Sequence, residues 1–114
     1  MDESILQSVK KMLGILEEQT PFDLEIKILI NSALAVLTQL GVGPDEGYAI
    51  ETGLEPWSEF IGDSKNLNMV QQYVYLKVKL GWDTPQNGAT VNLLKEEATA
   101  LESRINYVVD KGVE

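Results

Sequence analysis

Apolar residues recur at helical spacing in four stretches of the chain, separated by breaks rich in Gly and Pro. The spacing predicts a first helix over residues 4–13. Asp2 and Ser4 offer cap oxygens, Ile5, Leu6, Val9, Met12 and Leu13 follow a helical period, and Gly14 weakens the end. The second stretch opens on Thr20-Pro21-Phe22-Asp23, which reads as a start resembling a capping box, with Thr20 as N-cap and Pro21 at the first helical position. Gly41 supplies a left-handed C-terminal cap, leaving roughly 20 residues, or about 30 Å, of helix between them. Ile26, Leu29, Ile30, Ala33, Leu37 and Leu40 form one stripe, and Ile28, Ala35 and Val36 carry the apolar surface around it. A surface helix of a monomer keeps one stripe of little more than 100°. This helix is therefore central in a bundle, packed on a neighbouring subunit, or both.

Residues 41–56 hold four glycines and two prolines and read as a loop, inside which Tyr48-Ala49-Ile50-Glu51-Thr52 alternates well enough for a short strand or hairpin arm. A helical turn over 57–61 follows Pro56, and residues 62–66 break the chain. The third long helix is expected over 67–80. Its valines and tyrosines would tolerate a strand, but Val70, Tyr73, Val74 and Lys77 fall at helical spacing and the run is long for a strand. Residues 81–88, with Trp82, Pro85 and Asn87-Gly88, form a link rich in turn residues. A last helix over 90–109 shows Val91, Leu94, Ala98, Leu101, Ile105 and Val108 on one face, with Glu97 and Arg104 beside the stripe. The sum is an all-α fold: a single domain over 1–114, a small helical bundle of about four main helices. An irregular Gly-rich loop or short β-arm lies between the second and third long helices. No repeat or low-complexity segment is visible.

Composition narrows the chemistry. Among 114 residues there is no Cys and no His, 44% are hydrophobic, and 9 Lys+Arg face 18 Asp+Glu. The length suits one modest core. Disulfides, thiolate nucleophiles, iron–sulfur clusters, thiolate zinc sites and histidine-based hydrolase triads are excluded by residue type. The net charge of −9 opposes nonspecific binding to a phosphate backbone or an anionic membrane. Ten acids and three bases fall in residues 1–57, eight acids and six bases in 58–114. Such a surface is solubilising, is one that DNA passes without sticking, or imitates DNA. The acidic Met1-Asp2-Glu3 is unlike a signal peptide, and the longest uncharged run, the 17 residues 28–44, is too short and too polar to span a bilayer. The expectation is a soluble protein, with no membrane partner, made in a reducing compartment.

The motifs that could carry chemistry fall short. Gly41-Val42-Gly43-Pro44-Asp45-Glu46-Gly47 resembles a phosphate loop, but a helix precedes it, its third glycine is one position late, and it carries two acids. Glu17-Glu18, Asp45-Glu46 and Glu96-Glu97 are adjacent pairs that cannot face each other on a helix, and the acids at 45, 46, 51 and 55 miss the calcium-loop pattern. No catalytic residue, metal ligand or cofactor site is expected. Tyr48, Trp57, Phe60, Tyr73, Tyr75, Trp82 and Tyr107 either plug the ends of a small core or anchor a protein–protein contact.

Five blocks in order carry a resemblance: Ile30-Asn31-Ser32-Ala33-Leu34-Ala35-Val36-Leu37-Thr38-Gln39-Leu40-Gly41-Val42-Gly43-Pro44, Trp57-Ser58-Glu59-Phe60-Ile61, Tyr73-Val74-Tyr75-Leu76-Lys77-Val78-Lys79-Leu80, Trp82-Asp83-Thr84-Pro85 and Leu101-Glu102-Ser103-Arg104-Ile105-Asn106. Over about residues 4–106 the chain resembles the small head–tail connector, or adaptor, proteins of long-tailed bacteriophages and prophages. The resemblance implies a mostly helical structural subunit of the virion, made in the host cytoplasm and without enzymatic activity. It would assemble as a homo-oligomeric ring beneath the portal protein, extend the DNA channel, and offer a platform to a tail protein or second connector. Ser103 departs from the pattern, which often has an aromatic there. A multi-faced apolar helix, a Gly-rich arm and an acidic balance all suit such a ring.

On this reading the candidates for contact with the adjacent subunit are Tyr48, Ile50, Leu54 and Trp57 in and beside the 41–56 arm, with Ile28 and Val36 on the second helix. Tyr107, Val108 and Val109 are candidates for partner docking, in a tail from about 107 expected to be mobile in the free chain and ordered on binding. Glu46, Glu51 and Glu55 are candidates to face the channel, through which DNA passes without specific binding. A different class of function stays open from the charge alone: an acidic DNA mimic that inhibits a DNA-binding protein.

Overall fold

The structure, a computed structural model, describes residues 4–62, 67–82 and 88–110. The expected cap at Asp2, the break over 63–66, the link over 83–87 and the tail over 111–114 lie outside the described residues. Among the described residues five helices follow in order, α1 (Ile5–Leu13), α2 (Asp23–Gln39), α3 (Trp57–Ile61), α4 (Leu67–Trp82) and α5 (Gly88–Asp110). Of the described residues 71% are helical and none forms a strand, so the chain is a small all-α bundle.

Ser4 caps α1 as its sequence suggests, its Oγ accepting from the Gln7 N–H at 3.0 Å, and Gly14 closes the helix at φ +81°. The start of α2 differs from expectation. It begins at Asp23, with Phe22 as an N-cap that makes no side-chain bond, while Thr20 accepts the Asp23 N–H into a turn through its carbonyl. The cause is Lys10, fully buried at 0% exposure on a helix otherwise lined with Ile5, Leu6 and Val9. Its ammonium donates to the Glu17 and Gln19 carbonyls at 3.1 and 2.9 Å and meets Asp23 Oδ1 at 2.8 Å. A capping box would turn the Asp23 carboxylate back to Thr20; here it answers a buried cation instead. The other end of α2 follows the sequence. Gly41 stands at φ +94°, its N–H reaches the Thr38 carbonyl at 3.0 Å and the Val42 N–H reaches that of Leu37 at 2.9 Å, the paired bonds of a Schellman cap.

The most enclosed helix is α4, which packs between α2 and α5 and also meets α1. Its buried Val70, Tyr73, Val74, Leu76 and Val78 cover most of its circumference. A strand could not turn those five side chains to three neighbours at once. The stripe of α2 enters the core through Ile26, Ile30, Ala33, Leu34 and Leu37, and α5 adds Ala98, Leu101 and Ile105. The last helix, expected over 90–109, runs from Gly88 through Asp110, so residues 107–110 are helical. No helix among the described residues is long and apolar enough to cross a membrane.

Candidate functional site

The segment between α2 and α3 was the expected reach toward a neighbour. It forms no strand; among the described residues its one ladder-like contact is an isolated antiparallel bridge between Ser4 and Pro56. The reason is Asn31. From the middle of α2 its Oδ1 accepts the Ile50 N–H at 2.8 Å and its Nδ2 donates to the Ile50 carbonyl at 3.0 Å. One side-chain amide thus satisfies both backbone groups that a partner strand would have taken. Lys27, one turn earlier, donates to the Glu51 carbonyl at 3.0 Å. The segment is strapped along α2, and the radius of gyration, 13.8 Å, is close to the roughly 13 Å of a compact 100-residue fold.

The tip of the segment is built around Glu55. Its carboxylate accepts the Glu51, Thr52 and Gly53 N–H groups at 2.7, 3.0 and 2.9 Å. Partial burial works to raise its pKa, but these backbone donors outweigh the burial and hold the carboxyl at about 2. Ser4 Oγ donates to the Gly53 carbonyl at 2.9 Å, and the Ile5 N–H bonds the Glu55 carbonyl at 2.9 Å, tying the tip to the start of α1. Gly53 sits at φ +87°, where an added Cβ would lie 2.8 Å from Leu6 Cδ2. Directly beside this fixed turn, Leu54 is 80% exposed.

The expected contact residues divide accordingly. Ile50 and Trp57, 2% and 3% exposed, are core residues of the subunit itself, and the Trp57 Nε1–H donates to Ser8 Oγ at 2.8 Å. Their apolar surface is consumed inside the chain, which leaves none of it for a neighbour. Tyr48 is half-buried against Phe60, ring centroids 5.7 Å apart, and its hydroxyl donates to Glu59 Oε1 at 2.8 Å. Burial, then the bond to Glu59, pushes its phenol above the usual range. Leu54 and Ile28 are outward-facing, Val36 is half-buried. Glu46 and Glu51 are exposed, while the Glu55 carboxylate is turned onto its own backbone. Tyr107 is 62% exposed; Val108 and Val109 are half-buried, and Val109 lies so close to Gly41 that a Cβ there would come within 2.8 Å of its Cγ1.

Two grooves open beside these residues. One of about 410 Å³ runs between α4 and α5, lined by Gln72, Tyr75, Leu76, Glu97 and Arg104 among others. The second, about 290 Å³, lies where α2 crosses the end of α4, between Glu25, Ile28, Leu29, Gly81 and Trp82. Trp82 is braced there edge-on by Phe22, ring centroids 5.0 Å apart. Leu24, 67% exposed, adds apolar surface on α2 that the sequence stripe omitted. The roles of Lys10, Asn31 and Glu55 also went unread. The available signal was a polar residue placed on an otherwise apolar helical face, at positions 10 and 31.

Among the described residues no group of three or more Asp, Glu, His or Cys is arranged to hold a metal ion. What the surface offers is a braced acidic loop with a bare leucine, and apolar grooves at helix crossings. No curated protein and no solved structure matches the chain. The model of one family, described as phage connector protein, matches residues 5–112, nearly the full length, and the chain belongs to that family, whose part in the virion is structural and at the head–tail junction.

Proposed function

We propose that this protein is a ring subunit of the head–tail junction, stacked beneath the portal, where copies around one axis prolong the DNA channel and present a platform to a tail protein or second connector. Membership of the phage connector family over residues 5–112 carries this reading. The surface supports it: Leu24, Ile28 and Leu54 are 67%, 57% and 80% exposed, apolar area that an assembly would cover. Tyr107, at the end of α5, is the docking candidate that keeps an open face. The exposed Glu46 and Glu51 suit a channel wall, because carboxylates repel the phosphates that lysines would hold. Glu55 is not counted with them, since its carboxylate is turned onto the N–H groups of its own loop. The protein is synthesised in the host cytoplasm and ends in the virion.

Native mass spectrometry of the full chain, alone and mixed with portal rings of its own phage, tests the proposal. A discrete multi-copy complex on the portal is the expected result, stable as salt is raised. A chain that ignores the portal and instead binds a basic DNA-binding protein in a salt-sensitive way overturns it in favour of a DNA mimic.

A further inference from the structure

The last helix packs chiefly on α4, burying Ala98, Leu101 and Ile105, and turns a second stripe outward. Leu93, Glu97, Ala100, Arg104 and Tyr107 follow one another at alternating steps of four and three residues. At 100° per residue they lie within about 40° of one line along the helix, over roughly 21 Å. All five are exposed, Leu93 and Tyr107 by more than half. Apolar side chains repeating every seventh residue on an open face mark a helix that packs on another helix.

The order of the stripe selects the mate. Read from either end, it runs from a large apolar residue through a charge to Ala100, then through the opposite charge to a large apolar residue. Laid antiparallel on a second copy, with Ala100 at the crossing, Leu93 falls level with Tyr107 of that copy. Glu97 falls within one residue, about 1.5 Å, of the level of Arg104. Both charge pairs form at once, one on each side of the two-fold axis. A parallel arrangement does the reverse, setting Glu97 against Glu97 and Arg104 against Arg104. Among the described residues neither side chain forms an ion pair within its own chain, and Arg104 is the one arginine of the sequence.

The shape agrees with the charge. Ala100 brings no bulk to the crossing, so the two axes can approach to the roughly 8–10 Å of packed helices. Glu97, Ala100 and Arg104 also form one wall of the groove between α4 and α5, opposite Tyr75 and Leu76. A second α5 lying on the stripe roofs that groove. The two-fold repeats the arrangement, and α4 and α5 of both copies make a four-helix layer.

We propose that two copies pair through this stripe, α5 against α5, antiparallel about a two-fold axis at Ala100. Such a contact is complete with two copies. It therefore stands beside the ring reading and does not supply the ring's subunit contact, which uses another surface. Whenever the pair is formed it covers Tyr107, the docking candidate.

Charge exchange tests the pairing. The substituted positions are exposed, so each variant keeps the helicity of the unmodified chain by circular dichroism. Glu97→Arg puts cations at both charged places of the stripe, and Arg104→Glu puts anions there. In sedimentation across a concentration series, each variant alone self-associates at least about tenfold more weakly than the unmodified chain. Mixed in equal amounts, the two form a 1:1 heterodimer, and Glu97→Arg combined with Arg104→Glu restores the homodimer. For weak association, Ala100→Cys in this cysteine-free chain gives a disulfide dimer on mild oxidation, because the two-fold axis brings both side chains within bonding reach. Thr99→Cys, about 100° around the helix, couples far more slowly. Single exchanges that self-associate like the unmodified chain, or equal rates of oxidation at positions 99 and 100, overturn the pairing. Joining of portal rings is read separately in native mass spectra, so the pairing can fail while the ring reading holds, and the reverse.

Discussion

Glu55 shows how one side chain can do what several residues of sequence pattern suggested and failed to specify. Read as one acid among several in a polar loop, it resembled solvated charge; in the fold it is the acceptor on which a turn is built. Its carboxyl titrates at about 2 in the folded chain, against about 4.3 for a glutamate in an unfolded one. Between those values the unfolded chain binds a proton that the folded chain does not, so stability is complete above about pH 4.3 and is lost as the pH falls toward 2. Glu55→Gln removes this dependence. Urea midpoints taken stepwise from pH 5 down to pH 2 should fall less steeply for the variant, and a profile parallel to that of the unmodified chain would place the acid sensitivity elsewhere. Lys10 was illegible for a related reason. Its place beside the apolar residues of α1 signals burial but not how the charge is satisfied, because the carbonyls of Glu17 and Gln19 that accept from it belong to a loop with no periodicity.

Helices were the legible elements here, since apolar period and terminal residues act locally. The Gly41 cap, the turn at residues 57–61 and the stripe of α5 all follow from neighbours a few positions apart. The loop between α2 and α3 was not legible, because its conformation is set by Asn31, 19 residues from Ile50 along the chain. Alternation over 48–52 suggested a short strand or hairpin arm, but it could not signal that a side-chain amide would take the place of a partner strand. Asn31→Ala leaves the buried Ile50 N–H and carbonyl without partners, at a cost of about 1–3 kcal/mol. The expected outcome is faster amide exchange at Ile50 with α2 intact, read by hydrogen exchange and circular dichroism. Unchanged protection at Ile50 would mean that the loop is held by its Glu55 turn alone.

At the scale of the molecule, surface and core are interleaved within a few residues of the same loop. Ile50 and Trp57 serve the subunit, Leu54 faces outward, and sequence reasoning placed all three at an interface because exposure is a property of the finished packing. Removing residues 49–54 would therefore extract Ile50 from the core and the Glu55 turn with it. The thermal unfolding midpoint should drop by several degrees or more, as for a large-to-small change in a core of this size. A deletion that instead kept the full midpoint would show that the loop contributes nothing to the fold. The fold also gives force one route into the molecule. Val109, in the last turn of α5, rests on Gly41, where α2 ends and the loop begins. A load applied at the carboxyl end of α5 therefore meets the root of the loop at that point, as well as the core through Leu101 and Ile105. On the proposed ring reading, tension on whatever is fastened to that end of α5 reaches the loop from which Leu54 projects.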